Sequence, residues 1–526
     1  MKLMLHTFKK DVHRFWPGGA VSLGLLAVLA VADRWRFDSV AGATEGWLNL
    51  VLPLAWACLM ALAVLEEPLA GDRHFWLTRP HRWGALLGAK SLFAVLFVHL
   101  PCLMADAYVV AAHGFSPLAS LPQLLWKQLA LAAFLTLPAL ALSSMIQSFT
   151  HFMMGVFAIG AATVFSFASS QSHGVYVMMR QDDFLRNEVA AFLIAAGSLA
   201  ILWLQYRRRP AILARSVGYA TALLAGALIA LVPWQAEFRA RVLLRPARTP
   251  VTLRIDPRSP NSNTHYWSSA FALPMALSGL PAGTTARAAL LSLTMIGPDG
   301  RRYESALFTP GGAEKAPLEA VLYPDSPTPF DPPPDPQVAA PPPLCLSLRL
   351  DPAVYAALKD RNVRLTGQTA VSVVRLGETA WMPVGGRVAA PGAGHCSNGI
   401  GEDRGLEDRL KVLCESPSDM PSVVRVMLWT PEDRVKSASP PRLGIYGNYS
   451  GGPQVSWLSP LDRGMTSFGL SDPRYRRRSN FGGVPMERLG HARIGVIPEV
   501  VTGYSVTNFD IPDVSLSKYW VEPRTY

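Results

Sequence analysis

Long apolar stretches before Trp234 constrain the fold of this chain more than any other feature of its sequence. A helix of about 20 apolar residues crosses the ~30 Å hydrocarbon core of a membrane. The sequence therefore predicts a polytopic α-helical membrane domain over residues 18–233, with about seven spans. The predicted spans are Gly18 to Ala32, Trp47 to Leu65, Ser91 to Ala112, Leu124 to Ser144, His151 to Ser169, Val189 to Tyr206 and Ala214 to Pro233.

The first apolar stretch also fits a second interpretation, a cleaved secretory signal peptide. Basic residues precede it, and Ala30, Val31 and Ala32 offer small side chains for a cleavage site before Asp33. The basic region is long for a signal peptide, which favours a retained span. In either case the second span runs from outside to inside, so the remaining topology is unchanged.

Basic residues are concentrated in alternate loops of the predicted helical domain. Lys and Arg in short loops are retained on the cytoplasmic side of a membrane. The amino terminus is therefore expected inside a bacterial cell, and seven crossings of the inner membrane place residues 234–526 in the periplasm or outside the cell. The basic clusters are Lys2, Lys9, Lys10 and Arg14, then Arg73, Arg79, Arg82 and Lys90, and then Arg207, Arg208, Arg209 and Arg215.

Residues 1–17 have an amphipathic helical pattern. Met4, Phe8, Val12 and Phe15 recur at helical spacing, while basic and other polar residues fill the opposite face. This pattern predicts a helix that lies in the cytoplasmic membrane interface. A basic flank of the first span is the alternative.

Residues 66–90 form a charged, proline-broken segment between the second and third spans. Hydrocarbon does not tolerate such a cluster, so the segment is expected in water on the cytoplasmic side. Pro68 and Pro80 interrupt helix, and Asp72 can cap a two-turn helix that ends at Arg79. Lys90 is expected to extend its side chain back to the membrane surface.

The order of residues in this segment resembles a known family. Acidic residues end the second span, and leucine, Thr-Arg-Pro, a second arginine, a leucine pair and a lysine follow. This order resembles that in the membrane subunits of type-2 exporters of the ATP-binding-cassette superfamily, where a leucine-rich short helix, a Thr-Pro or similar pair, a basic residue, a leucine pair and a lysine follow the acidic end of the second span. The residues that carry the resemblance are Glu66, Glu67, Leu77, Thr78, Arg79, Pro80, Arg82, Leu86, Leu87 and Lys90.

The resemblance covers residues 1–235 and implies a permease subunit. Its coupling helix would dock on a separate cytoplasmic ATPase, and residues 1–17 would be the elbow helix of the family. A homodimer or a pair with a paralogous permease, embedded in membrane lipid, is expected. A seventh span and a large external domain depart from the usual six-span core. The residues implied in coupling are Glu66, Glu67, Asp72, Leu77, Arg79, Pro80, Arg82 and Lys90.

The chain carries no recognisable motif for catalysis. Gly84, Gly88 and Lys90 imitate a phosphate-binding loop, but Ala89 separates the second glycine from the lysine. Zinc-protease and nucleophile-elbow motifs are absent from the sequence. We therefore expect no enzymatic activity, cofactor or metal in this chain, and ATP hydrolysis in a partner.

Among the ionisable residues of the predicted spans, His99, Asp106 and Lys127 are candidates for charges at membrane depth. Such residues are candidates for function because a charge is costly at membrane depth. Asp106 and Lys127 approach the outer ends of the third and fourth spans, where an ion pair is favoured over a proton relay. His99 is expected either to contribute to a polar path or to be a buried hydrogen-bonding residue.

After residue 234 the pattern changes to short segments rich in branched side chains and separated by turn residues. This change predicts an all-β, sandwich-like domain over residues 234–526. Residues 324–343 include ten prolines and are expected to form an extended linker.

Cys396 and Cys414 bracket a loop rich in glycine and charge, in a compartment that allows disulfides, so we predict that they pair. Cys345 is left out of this pairing. His395 and His491 lack a second close pair of ligands, which disfavours a metal site.

Two other classes of protein compete with the permease interpretation. One is a membrane-anchored receptor or assembly protein whose external β domain binds a ligand or partner. The other is an enzyme of the membrane or of the external compartment, which the absence of motifs disfavours. Nucleic-acid binding is not expected, because the net charge of +11 is explained by membrane topology and a basic patch around Tyr475.

Overall fold

The structure, a computed structural model, consists of an N-terminal helical region followed by a β-rich C-terminal region. This order confirms the fold class at that level. Of the predicted linker 324–343, only Pro324 lies in the described part of the chain. The described residues are 2–33, 39–66, 83–158, 185–208, 211–256, 270–307, 318–324, 344–403, 407–417, 423–429, 436–439, 458–471 and 484–521.

Six helices in the described ranges are long and apolar enough to cross a membrane, α1 to α4, α6 and α7. The shorter α5 is the described part of the fifth predicted span, and the rest of His151 to Ser169 lies outside the described residues. The helices are α1 Lys2–Ala32, α2 Ser39–Leu65, α3 Trp83–Ala112, α4 Leu121–Met145, α5 Phe149–Ala158, α6 Leu185–Trp203 and α7 Ala211–Leu231.

Helix α1 is continuous through Pro17. The predicted interfacial helix 1–17 and the first predicted span are therefore one helix. A proline inside a helix removes one backbone hydrogen bond but does not always end the helix.

Helices α3 and α4 each contain one π-helical turn, at Val95–His99 and Ala132–Thr136. In these turns Leu100 N–H donates to the Val95 carbonyl and Leu137 N–H to the Ala132 carbonyl, five residues back. A proline follows each turn, Pro101 and Pro138. Because a proline ring clashes with the carbonyl four residues earlier, the wider turn relieves the clash and keeps the helix intact.

The β-rich region begins with helix α8, Trp234–Leu244, and contains helix α9, Pro352–Leu358. The rest of its described regular structure consists mainly of strands, as the sequence predicts. They are β1 Thr252–Ile255, β2 Ala270–Ser278, β3 Thr284–Ile296, β4 Arg302–Glu304, β5 Ala306–Leu307, β6 Leu318–Pro324, β7 Leu344–Leu350, β8 Asn362–Leu376, β9 Ala380–Pro383, β10 Arg387–Ala390, β11 Gly394–Asp403, β12 Glu407–Ser416, β13 Val423–Trp429, β14 Lys436–Ser439, β15 Asp462–Ser471, β16 Val484–Pro485, β17 Arg493–Ser515 and β18 Trp520–Val521.

The described strands form three sheets. A six-stranded sheet has the order β1-β2-β7-β6-β5, with β18 beside β2. A seven-stranded sheet has the order β14-β13-β17-β8-β3-β4, with β9 beside β17. A five-stranded sheet has the order β10-β11-β12-β15-β16.

The seven-stranded sheet is apolar on both faces. One face shares a buried core with the six-stranded sheet, built from residues such as Met275, Leu346 and Val371. The opposite face is covered by α8, where Phe238 is buried with Ala370. The five-stranded sheet packs through a separate cluster against the β9, β13 and β17 end of the same sheet.

Cys396 and Cys414 form a disulfide, which confirms the predicted pair. They lie directly opposite each other on the antiparallel strands β11 and β12. Cys345 is buried in β7, in the interior of the six-stranded sheet. The disulfide therefore cross-links one hairpin of the five-stranded sheet.

Candidate functional site

Two of the eight predicted coupling residues, Glu66 and Lys90, lie in the described part of the chain. Glu66 ends α2 and Lys90 lies in the second turn of α3, so they bracket residues 67–82. The other predicted coupling residues lie outside the described residues: Glu67, Asp72, Leu77, Arg79, Pro80 and Arg82.

Lys90 pairs with Asp11 of α1. Its Nζ atom lies 2.8 Å from Asp11 Oδ2, and the two side chains are 1% and 0% exposed. The expected extension of Lys90 to the membrane surface is therefore wrong, because a carboxylate on a neighbouring helix pairs with its ammonium inside the protein. A buried pair compensates two charges that would each be costly alone.

Glu66 is fixed by the same helix. Lys10 Nζ lies 3.3 Å from Glu66 Oε1, and Arg14 Nη1 lies 2.5 Å from the same oxygen. Lys10, Asp11 and Arg14 lie on consecutive turns of α1. One helix therefore contacts the residues on both sides of segment 67–82.

Apolar packing reinforces these ion pairs. Phe8, Val12 and Phe15 of α1 pack against a buried cluster of α2 and α3 that includes Leu59 and Phe93. The apolar face of the predicted interfacial helix therefore contacts protein. Sequence periodicity identifies an apolar face but does not distinguish lipid from a neighbouring helix as its partner.

The three predicted intramembrane polar residues belong to one hydrogen-bonded network between α3 and α4. Lys127 Nζ lies 2.6 Å from Asp106 Oδ1, which confirms the expected ion pair. Gln128 Nε2 lies 3.4 Å from Asp106 Oδ2, and Gln128 Oε1 lies 3.1 Å from His99 Nδ1. Gln128 thus connects the ion pair to the histidine.

The network ends in the π turns. Thr136 Oγ1 lies 3.1 Å from His99 Nε2, and these two residues close the π turns of α4 and α3. Sequence reasoning missed Gln128 and Thr136. The available signal was their position in a predicted span, because a buried amide or hydroxyl requires a partner.

The other end of the network reaches the β-rich region. Lys127 Nζ also donates to the backbone carbonyl of Leu458. The Leu458 side chain is buried in the main core of the helical region. Leu461 is buried with Val109 and Leu124, on α3 and α4.

A second contact joins the β-rich region to the loop between α3 and α4. The His395 ring stacks on Phe115 with centroids 4.2 Å apart, and its Nδ1 lies 3.1 Å from the His113 carbonyl oxygen. His113 Nε2 lies 3.7 Å from Glu415 Oε2. His395 and Glu415 are cross-strand neighbours beside the Cys396 disulfide, so the cross-linked hairpin presents both.

Helix α8 makes a third connection, because it follows α7 after a short turn at Pro233. The Phe238 ring meets Tyr504 of β17 edge-on, with centroids 5.6 Å apart. After α8 the chain pairs with β17, and Ala247 N–H donates to the Tyr504 carbonyl at 2.8 Å. A Cβ atom at position 503 would lie 2.8 Å from the Cα atom of Ala247. Only glycine therefore permits the two backbones to lie this close together.

Within the described residues, no group of three or more His, Cys, Asp or Glu side chains is arranged to hold a metal ion. The chemistry on display is instead that of buried ion pairs and amide hydrogen bonds at helix–helix and helix–sheet contacts.

Comparison with protein-family models and with curated proteins found no match to this chain.

Proposed function

We propose that this chain is the permease subunit of a transporter in a bacterial inner membrane, driven by a separate ATP-binding-cassette ATPase. The observation that carries the proposal is the double attachment of α1 to the ends of segment 67–82, through Asp11 with Lys90 and through Lys10 with Glu66. This segment is the one whose residue order resembles the coupling region of type-2 exporters.

The attachment fits a coupling role for a mechanical reason. A force on a loop moves the adjoining helices only if the ends of the loop are stiff. The buried pair of Lys90 with Asp11 joins α3, which follows the segment, to α1, and the pair of Glu66 with Lys10 joins the end of α2, which precedes it, to the same helix. A displacement of segment 67–82 would therefore move α1, α2 and α3 together.

The proposal includes an orientation. The basic clusters favour a cytoplasmic amino terminus and segment 67–82, with the β-rich region in the periplasm or outside the cell as a sandwich-like domain. The disulfide supports the placement of the β-rich region outside the cytoplasm, because disulfides persist in oxidising compartments.

A second candidate is a membrane-anchored receptor or assembly protein. The contact of His395 with the α3–α4 loop favours it, because a docked external domain could report ligand binding to the helices. The two candidates differ in the need for an ATPase.

Co-purification tests this difference. Full-length tagged chain, extracted in a gentle detergent from its native host, is expected to bring down an ATPase. Leu77→Ala and Arg79→Ala should weaken the association, whereas the control Arg301→Ala changes a residue of the β-rich region whose side chain is 78% exposed. Absence of an ATPase, with both coupling variants behaving as the control, would refute the permease proposal.

Labelling tests the orientation separately. An Arg301→Cys variant should react with a membrane-impermeant maleimide while the inner membrane is intact. Reaction only after that membrane is permeabilised would place the β-rich region in the cytoplasm.

A further inference from the structure

Residues 458–461 of the β-rich region are inserted into the helical region. Leu458 and Leu461 are 4% and 2% exposed, although they precede a sheet strand, β15. Leu461 is surrounded by Val109, Val110 and Leu124, from the facing ends of α3 and α4. Two leucines of the β-rich region thus complete the apolar packing of a helix pair.

Lys127 connects this insertion to the pairing of α3 with α4. Its ammonium contacts Asp106 of α3 at 2.6 Å and the carbonyl of Leu458 as well. A single ammonium therefore satisfies one acceptor from the neighbouring helix and one from the inserted segment. Because a lysine side chain has one head group, a displacement of α4 that separates it from Asp106 also disturbs its contact with Leu458.

The second contact, at the α3–α4 loop, belongs to the same sheet. In β12, Glu415 lies next to the loop residue His113, and Ser416 pairs with Asp462, which directly follows Leu461. Strand β12 therefore lies between the disulfide partner strand β11 and the strand that follows the inserted segment. The strands that carry the His395 contact and the inserted segment are therefore connected through β12 by backbone hydrogen bonds.

We propose that these contacts form a conformational latch between the helix pair and the five-stranded sheet. The sheet is docked while Asp106 and Lys127 hold α3 and α4 together. When α4 moves relative to α3, Lys127 releases the Leu458 carbonyl, residues 458–461 leave the helices, and His395 and Glu415 leave the loop with them. Whether the five-stranded sheet is docked then depends on how α3 and α4 are packed. The latch goes beyond the proposed coupling to an ATPase and does not depend on it.

Hydrogen exchange of the full-length protein in lipid nanodiscs tests the latch. Lys127→Met and Asp106→Asn are each expected to raise the exchange rate of residues 458–461, of loop 113–115 and of hairpin 394–416 together, by about tenfold or more. Lys359→Met is the matched control, because Lys359 is an exposed lysine after α9 and should change none of these rates.

A further variant leaves the membrane helices unchanged. Leu461→Ala removes only an apolar anchor of the inserted segment, and it should also raise exchange at loop 113–115. Exchange that rises at 458–461 alone, with the loop and hairpin unchanged, would overturn the latch. So would an Asp106→Asn protein whose inserted segment remains fully protected, because docking would then be independent of the helix pairing.

Discussion

Lys90 Nζ lies 2.8 Å from Asp11 Oδ2, and these two residues, 79 positions apart in the chain, are both buried. The pair joins α1 to α3 at the point where the chain leaves segment 67–82. Glu66 pairs with Lys10 of α1 on the other side of that segment, so one helix contacts the chain both before and after it.

Removing one partner of the Asp11–Lys90 pair should destabilise the protein strongly. Asp11→Asn and Lys90→Met each leave one buried charge without its compensating charge, at a cost of about 3–5 kcal/mol. Thermal unfolding in detergent measures the loss. The double variant Asp11→Leu with Lys90→Met should recover much of it, because two apolar groups replace two charges. Single variants as stable as the wild type would show that the pair does not hold the helices.

A substitution at Gly19 tests the contact of α1 with α3. A Cβ at Gly19 would lie 2.3 Å from a ring carbon of Phe97, whereas a Cβ at Gly24 would have no neighbour within 4 Å. Gly19→Ala is expected to cost about 1–3 kcal/mol through overpacking. Gly24→Ala, on the same helix, should be neutral or stabilising by up to about 1 kcal/mol, because alanine favours helix. Equal melting temperatures for the two variants would contradict the close packing.

Phe238 should anchor α8 to the seven-stranded sheet. Its side chain is 4% exposed, while Leu243 of the same helix is 85% exposed. Phe238→Ala is expected to cost about 3–5 kcal/mol and to raise hydrogen exchange in α8. Leu243→Ala is the control and should change neither quantity by much. If the two variants behave alike, α8 does not connect α7 to the sheet through this contact.

The ion pair between Arg364 and Asp510 should give a small pH-dependent contribution to stability. Arg364 Nε donates to Asp510 Oδ1 at 2.7 Å, and this hydrogen bond lowers the pKa of Asp510. A lowered pKa in the folded state stabilises the protein above the unfolded pKa, and this contribution is lost as pH falls through the folded pKa. Arg364→Gln should therefore lower the melting temperature slightly at neutral pH. The difference from wild type should disappear in strong acid, and a difference that persists there would exclude the titration of Asp510 as its source.

Composition and spacing predicted the fold class and much of the helix placement. The apolar stretch Trp47 to Leu65 coincides with a helix of the structure that is apolar enough to cross a membrane. Cys396 and Cys414 could be paired because they flank a local loop, and local relationships are visible in sequence.

Relationships over long sequence separations could not be predicted. Lys90 was identified as a coupling residue, but its partner Asp11 was not, because charge patterns do not specify which helices touch. Asp106 and Lys127 were predicted to pair since they lie in adjacent spans, yet the role of Gln128 between them and His99 depends on helix rotation. The sequence showed only the prolines that follow the π turns, Pro101 and Pro138.

The sequence by itself determined that this chain has long apolar helices, a β-rich region after residue 234 and a charged segment at residues 66–90. These properties follow from local hydrophobicity and from turn-forming residues. Only the tertiary structure decided that α1 contacts Glu66 and Lys90 on the two sides of segment 67–82. It also decided that Lys127 contacts the carbonyl of Leu458, 331 positions later in the chain. The physical reason is that ion pairs and buried contacts depend on distances in space, and residues far apart in sequence acquire those distances only when the helices and sheets pack.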